Sequence, residues 1–352
     1  MPFFVSEPLS DRQLASTAET ETGTERTVTV PLEDTGVLFS NLRTALVLPT
    51  LNAETGLPEW LSALKRQTVQ PHKFLLVDSA SNDRTVELAK QAGFEVVSIK
   101  REDFSHGGTR QMCVERLADC DLIVFVTQDA VLAQPQSLAN LLRAFDNPQV
   151  GAAYGRQLPR PEAGAIEAHA RLFNYPDSTQ VKSKADIPTL GLKTAFISNS
   201  FAAYRRSALL EAGGFPSDTI QNEDTYAASR MILNGWKVVY AGDAPVYHSH
   251  PLSVGQEFRR YFDIGVFHAR APWIREEFGQ AEGEGWRFVR SELGYLCHRR
   301  PTAIPSALLR TGLKLVGYKL GSCERKLPRG LKTCLSGNKT YWRREAAVKE
   351  RS

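Results

Sequence analysis

Leu122-Ile123-Val124-Phe125-Val126-Thr127-Gln128-Asp129 decides the fold: five apolar residues run without a polar interruption, and the segment then stops on a carboxylate. A run of that length and composition reads as a strand buried on both faces, which is the signature of a sheet covered by helices. Open α/β sheets collect ligands beyond the carboxyl ends of their strands, so Asp129 stands where chemistry is placed. The competing reading is local. A strand-end Asp commonly serves as a turn or cap residue, here for the segment that opens near Gln134-Pro135.

The neighbouring segments decide between the two. Thr44 to Pro49, Lys73 to Val77 and Phe94 to Ile99 read as three further strands. Leu57 to Arg66 places Leu57, Trp60, Leu61 and Leu64 on one helical stripe, and Asn82 is expected to cap a helix ending near Gln91. Strands alternating with helices predict an α/β fold with a mainly parallel sheet. Each strand runs into polar residues: Pro49-Thr50-Leu51-Asn52, then Asp78 to Thr85, then Phe104 to Arg110. Three loops therefore converge on the edge that carries Asp129. Asp78 matches the N–H donor of a pyrimidine imide, or is a turn residue. Gly107 and Gly108, at a helix start with Arg110, would let the backbone approach a phosphate while a guanidinium clamps it.

A chain of 352 residues with 42% hydrophobic content can bury one large α/β domain with an appendage, and is neither disordered nor fibrous. Five cysteines without C-x-x-C spacing point to a reducing compartment and away from structural zinc. With no secretory leader pattern and no run approaching a membrane span, the expected location is cytoplasmic. The net charge of +4 hides an asymmetry, because residues 285–352 hold sixteen Lys and Arg against four Asp and Glu. A basic tail lacking any nucleic-acid module suits anionic phospholipid or a lipid-linked phosphate, and otherwise is a solvated end.

The expected organisation is a flexible segment over 1–40, a catalytic domain over 41–255 divided near 130, and a helical basic region over 256–352. Phe258, Tyr261, Phe262, Ile264, Phe267 and Trp273 recur at helical spacing beside Arg259 and Arg260. Leu309, Leu313, Val316 and Leu320 do so beside Arg310 and Lys314. Such helices either lie at a membrane interface, peripheral on the inner face of the cell membrane, or pack on the catalytic domain or across a homodimer.

With these residues in place, the sequence resembles the family 2 inverting glycosyltransferases of GT-A fold, and within them the rhamnosyltransferases of bacterial surface polysaccharides. The resemblance spans roughly residues 43–250. Pro49-Thr50-Leu51-Asn52 is similar to the family's first-strand motif, and Val77-Asp78-Ser79-Ala80-Ser81-Asn82-Asp83-Arg84-Thr85 to its base-binding turn. Phe104-Ser105-His106-Gly107-Gly108-Thr109-Arg110 is the most specific to the subgroup. The resemblance implies that Asp78 and Arg110 hold the pyrimidine and adjoining nucleotide groups, with Thr50, Asn52, Gly107, Gly108, Thr127, Gln128 and Asn199 completing the nucleotide-sugar pocket. Asp129 corresponds to the metal-binding end of the D-x-D motif, whose first acid is here Thr127.

A single carboxylate then anchors Mg²⁺ or Mn²⁺, with other ligands drawn from a diphosphate and water. His248 or His250 would complete the metal site by the same resemblance, His248 being preferred. The pair Glu223-Asp224 corresponds to the acceptor cleft, with Asp224 as general base and Glu223 supporting it; capping of the helix that begins there is the plain alternative. The implied reaction is inverting transfer of L-rhamnose from dTDP-β-L-rhamnose to a saccharide or lipid-linked oligosaccharide, with no nucleic acid involved. Another nucleotide sugar such as a UDP-hexose is the alternative donor, and a non-catalytic nucleotide-sugar or polysaccharide-binding adaptor the alternative of another class.

Overall fold

The computed structural model describes residues 38–249, 251–279 and 283–349; the segment expected over 1–40 lies outside the described residues up to position 37, as does His250. The first half runs β1 (Thr44–Thr50), α1 (Leu57–Lys65), β2 (Lys73–Asp78), α2 (Thr85–Gln91), β3 (Glu95–Ser98), α3 (His106–Arg116) and β4 (Leu122–Val126). β1 lies parallel to both β2 and β4, and β2 to β3, giving the order β3-β2-β1-β4. All carboxyl ends therefore meet one edge. β4 is buried along its whole length and ends at Val126, so Thr127-Gln128-Asp129 forms the turn beyond it, closed by Ala130 N–H donating to the Thr127 carbonyl at 3.0 Å.

Alternation sorts the strand side chains into two layers. Ala45, Val47, Ile123 and Phe125 join one core, and Leu46, Leu48, Leu122, Val124 and Val126 the other. One local expectation fails. Asn82 does not cap α2, which starts three residues later at Thr85. The Asp83 carboxylate instead accepts from Thr85 N at 3.0 Å and from its hydroxyl at 2.5 Å, while Asn82 N donates to the Asn52 carboxamide.

The second half adds β5 (Val131–Leu132), α4 (Ser137–Arg143), β6 (Val150–Leu158), α5 (Ala165–Asn174), β7 (Gln180–Lys182), α6 (Ile187–Leu190), β8 (Phe201–Arg205), α7 (Arg206–Glu211), α8 (Glu223–Leu233) and β9 (Lys237–Tyr247). β8 is antiparallel to β4 and β6, β6 is parallel to β9, and β5 and β7 flank β9 antiparallel. The sheet is thus parallel through its first half and mixed beyond. At Gly155 a Cβ would lie 2.4 Å from the Phe201 ring, so only glycine lets β6 pass there. The β6–β9 register shifts directly after it, which fixes the approach of Gln157 to the end of β9.

Among the described residues six α-helices follow: α9 (Val254–Arg270), α10 (Pro272–Phe278), α11 (Glu284–Arg299), α12 (Ile304–Ser322), α13 (Arg329–Leu335) and α14 (Lys339–Lys349). α9 opens with a capping box between Ser253 and Gln256 and buries Phe262, Val266 and Phe267 in the core. α12 crosses it closely through Gly317 and Gly321, where a Cβ at Gly321 would fall 2.0 Å from the Phe262 carbonyl. The opposite side of α12 leaves Leu308, Leu309, Leu315 and Val316 about half exposed. Trp342 of α14 is buried beneath Arg270, and Arg344 donates to the carbonyls of Glu102 and Phe104 beside the ligand edge. No helix among the described residues is long and apolar enough to cross a membrane.

Candidate active site

A cavity of about 850 Å³ opens at the carboxyl edge of the parallel strands. Thr50, Ser79, Arg110, Thr127, Gln128 and Asp129 line it from the sheet side. Arg101 lines it from the β3–α3 loop, and Gln256, Arg259, Arg260, Asp263 and Lys339 from the opposite end of the sequence. The sequence assigns none of the last five to a site, and leaves Arg259 and Arg260 on a helix that either lies at a membrane interface or packs on the catalytic domain or across a homodimer. Their adjacency on an amphipathic helix was visible, but the fold alone shows that both reach this cavity.

The loops divide into residues that build the cavity and residues that face it. Asp78 is 2% exposed, and its carboxylate accepts from Ser81 N at 3.0 Å and from Ser81 Oγ at 2.5 Å. Asn52 adopts the left-handed conformation with φ 49°, and its side chain ties the 78–85 loop through Asn82 instead of lining the cavity. Gln128 clamps Leu51 through both backbone groups, accepting from its N–H at 2.8 Å and donating to its carbonyl at 3.2 Å. At Gly107 a Cβ would overlap the Pro216 carbonyl at 1.8 Å, so this glycine allows α3 to pack. Gly108 N donates to the Ser105 cap. Thr127 Oγ1 is buried without a hydrogen-bond partner among the described residues.

Beyond Thr127, the Asp129 carboxylate lies 3.5 Å from His248 Nε2. His248 directly follows β9, so strand alternation does not place it; its N–H does so by donating to the Leu158 carbonyl at 3.0 Å. The imidazole is fixed by Gln157. That carboxamide donates through Nε2 to Ser198 and receives Arg171 on Oε1, and the same Oε1 lies 2.9 Å from His248 Nδ1. An oxygen in that position accepts the Nδ1 proton, so Nε2 is the nitrogen that faces Asp129 and Ser200 Oγ. A carboxylate and an imidazole Nε2 side by side are hard and borderline donors suited to a divalent cation once the imidazole is neutral. Among the described residues no third His, Cys, Asp or Glu joins them.

The second cluster is assembled at the start of α8. Glu223 is 4% exposed and pairs with Arg110 at 2.7 Å. Burial alone would raise its carboxyl, but Arg110, His106 and Asn199 outweigh burial and hold it below the usual carboxylate range. Asp224 moves the other way. Desolvation, and then the charge of Glu223, push its carboxyl up to about 7. Asn199 spans both acids, donating Nδ2 to Glu223 at 3.1 Å and its backbone N–H to Asp224 at 3.2 Å, while Tyr204 donates to its Oδ1 at 2.8 Å. Burial also holds His106 below its ordinary value against the pull of Glu223.

The tripeptide Ser198-Asn199-Ser200 joins the two clusters, because its serines contact Gln157 and His248 while its asparagine holds both acids. Asn199 was legible in sequence; Gln157, Arg171, Ser198, Ser200 and His106 were not. Arg205 and Arg206 play no part, as their guanidinium groups donate to the carbonyls of Val150, Phe145 and Val114.

The family model for glycosyl transferase family 2 matches residues 45–213. The chain is 48% identical over 304 residues to the O-antigen chain rhamnosyltransferase RfbN of Salmonella typhimurium, covering 86% of this chain and 96% of that protein. It is 47% identical over 300 residues to the O-antigen chain rhamnosyltransferase WbaN of Salmonella anatum, covering 84% and 95%. Among solved structures, the mannosyltransferase PcManGT from Pyrobaculum calidifontis, in complex with GDP-Man and Mn²⁺, shares the fold with a TM-score of 0.50 at 20% identity, covering 88% of this chain and 86% of that one.

Proposed function

The chain belongs to glycosyltransferase family 2, and from that premise we propose that it transfers L-rhamnose from dTDP-β-L-rhamnose to a saccharide hydroxyl in surface-polysaccharide assembly. The names of its extended relatives support the donor sugar. Thr50 and Ser79 line the cavity on either side of the base-binding loop, whose buried Asp78 would meet the pyrimidine only by exchanging its bonds to Ser81, and the Thr127 hydroxyl offers the nucleotide an unsatisfied hydrogen-bonding group. Arg259, Arg260, Arg101 and Lys339 supply positive charge where the diphosphate would otherwise stand against Asp129.

The observation that carries the chemistry is the opposite behaviour of two adjacent acids. Glu223, ionised against Arg110, keeps Asp224 basic enough to take a proton near neutral pH. Asp224 removes the proton of the acceptor hydroxyl as its oxygen bonds to the anomeric carbon. The bond from that carbon to the diphosphate oxygen breaks on the opposite face, releasing dTDP and leaving an α-rhamnoside. Asn199 fixes Asp224 and Glu223 relative to each other during this step. Asp129 and His248 would hold a divalent Mg²⁺ or Mn²⁺ ion, which when bound neutralises charge on the departing diphosphate.

The same reading places the basic C-terminal helices on anionic lipid, with the acceptor lipid-linked. The deciding experiment measures dTDP-rhamnose consumption and product mass with the purified chain, with and without Mg²⁺ or Mn²⁺. Metal-stimulated turnover should vanish in Asp129→Ala, and transfer should vanish in Asp224→Asn with donor binding intact. Near-wild-type transfer by Asp224→Asn would remove the base assignment, and preference for a UDP-hexose would replace the donor.

A further inference from the structure

A second cavity, about 1280 Å³, lies apart from the donor site between β6, the 187–196 segment and α11. Two aromatic clusters line it. In one, Tyr154 packs against Phe196 at 5.8 Å and Tyr240 at 5.1 Å. In the other, His169 packs against Phe173 at 5.7 Å and Tyr295 at 5.4 Å. Phe196 is 38% exposed although it belongs to the first cluster, so an aromatic face is offered to whatever enters. Polar groups punctuate the walls: Lys193, Glu284 and Arg287 are ion-paired across the rim, and Ser291 lies 2.9 Å from His169 Nε2.

His169 itself is 3% exposed, and its Nδ1 has no hydrogen-bond partner among the described residues. That nitrogen has no accessible surface, so His169 braces the cavity wall while Ser291 stands at its edge. The cavity needs a ligand with flat apolar faces and a hydrogen-bonding rim. A pyranose has that form: its C–H face packs on aromatic rings, and its hydroxyls both donate and accept. A prenyl chain does not, since it would bury the ion-paired rim without satisfying it.

The position of the cavity says which sugar. Phe196 and Asn199 are three residues apart, so their Cα atoms lie within about 11 Å even if the segment is fully extended, and Asn199 holds Asp224. We propose that this cavity is a saccharide site that binds the acceptor sugars behind the one being glycosylated. The inference rests on the glycosyltransferase reading and adds a subsite for an acceptor of more than one sugar.

The test uses the purified full chain and oligosaccharides of one to four sugars, size-fractionated after mild-acid release from Salmonella lipopolysaccharide, with binding followed by calorimetry. Fractions of two or more sugars should bind, and Phe196→Ala or Tyr295→Ala should weaken that binding by about 10-fold, the loss expected for removing a stacking aromatic ring. Acceptor-independent hydrolysis of dTDP-rhamnose should be unchanged in both variants. If Phe196→Ala also loses hydrolysis, Phe196→Leu decides: weak saccharide binding with hydrolysis intact supports the site, and wild-type binding overturns it. Indifference of both alanine variants, equal affinity for single sugars and longer fractions, or capture of farnesyl phosphate in place of saccharide would also overturn it. A wild-type chain that binds the oligosaccharides through Phe196 yet never hydrolyses dTDP-rhamnose would sink the donor reading and leave this site standing.

Discussion

Asp224 and Glu223 are neighbours in sequence whose carboxyls are driven apart by what surrounds them, and the division has consequences for stability as well as for catalysis. The Asp224 carboxyl is raised from 3.8 to about 7, so the folded protein retains a proton that the unfolded chain releases. Stability must therefore fall as pH rises through that window. Asp224→Asn cannot titrate, so its Tm relative to wild type should become more favourable from about pH 4 to about pH 8, whatever fixed cost the substitution carries. A flat difference between the two melting curves would show that the carboxyl is not raised. In the wild-type enzyme, transfer should climb through about pH 7 as Asp224 ionises. Arg110 has the complementary role. Arg110→Met leaves Glu223 buried and uncompensated, a loss of about 3–5 kcal/mol by urea denaturation, and adding Glu223→Gln should recover most of it. At this scale the sequence shows residues whose neighbours are local, such as the acids at the start of α8. It hides Gln157 and Ser200, because their partner His248 is 91 and 48 residues away, and no periodicity records such a pairing.

At the scale of elements, β1, β2 and β4 are legible because burial on both faces demands uninterrupted apolar runs. β6 is not. After Val150 it continues Gly151-Ala152-Ala153, small residues with weak strand preference that are selected by close approach of neighbours and not by the backbone. The amphipathic spacing of α9 and α12 was readable, but a helical stripe does not say what it faces. Structure gives α9 to the core and turns Arg259 and Arg260 toward the donor cavity, held there by the glycine contacts of α12. Gly321→Ala should force the helices apart, costing about 1–3 kcal/mol as overpacking does. Because the arginines ride on α9, affinity for dTDP should fall with it, measured by titration at a temperature where the variant is folded. Undiminished dTDP affinity in a destabilised variant would mean that the arginines do not meet the nucleotide.

For the whole molecule, charge and surface act together. Sixteen basic against four acidic residues over 285–352 accompany the exposed apolar side of α12, a combination suited to a shallow stay on anionic lipid. Co-sedimentation with phosphatidylglycerol vesicles should exceed that with phosphatidylcholine. It should also weaken between about 0.1 M and 1 M salt, as the Debye length drops from ~10 to ~3 Å. The double substitution Leu309→Glu with Val316→Glu should reduce binding without altering dTDP-rhamnose hydrolysis. Equal sedimentation with both lipids, or a concentration-dependent dimer abolished by the same pair, would assign that face to a second copy.

The hydrogen bonds from Arg344 to the loop at Glu102 span 242 residues, and this separation bears on the protein's birth. The nucleotide-binding half leaves the ribosome early, yet one wall of its cavity is translated some 240 residues after the Glu102 loop. At roughly 5–20 residues per second, about 12–48 s pass between the two. Until then a nascent chain displays the base-binding loop without the cationic wall, and it should neither sequester nor hydrolyse the nucleotide sugar. Chain order thereby ties the completion of the donor cavity to synthesis of the 339–344 segment.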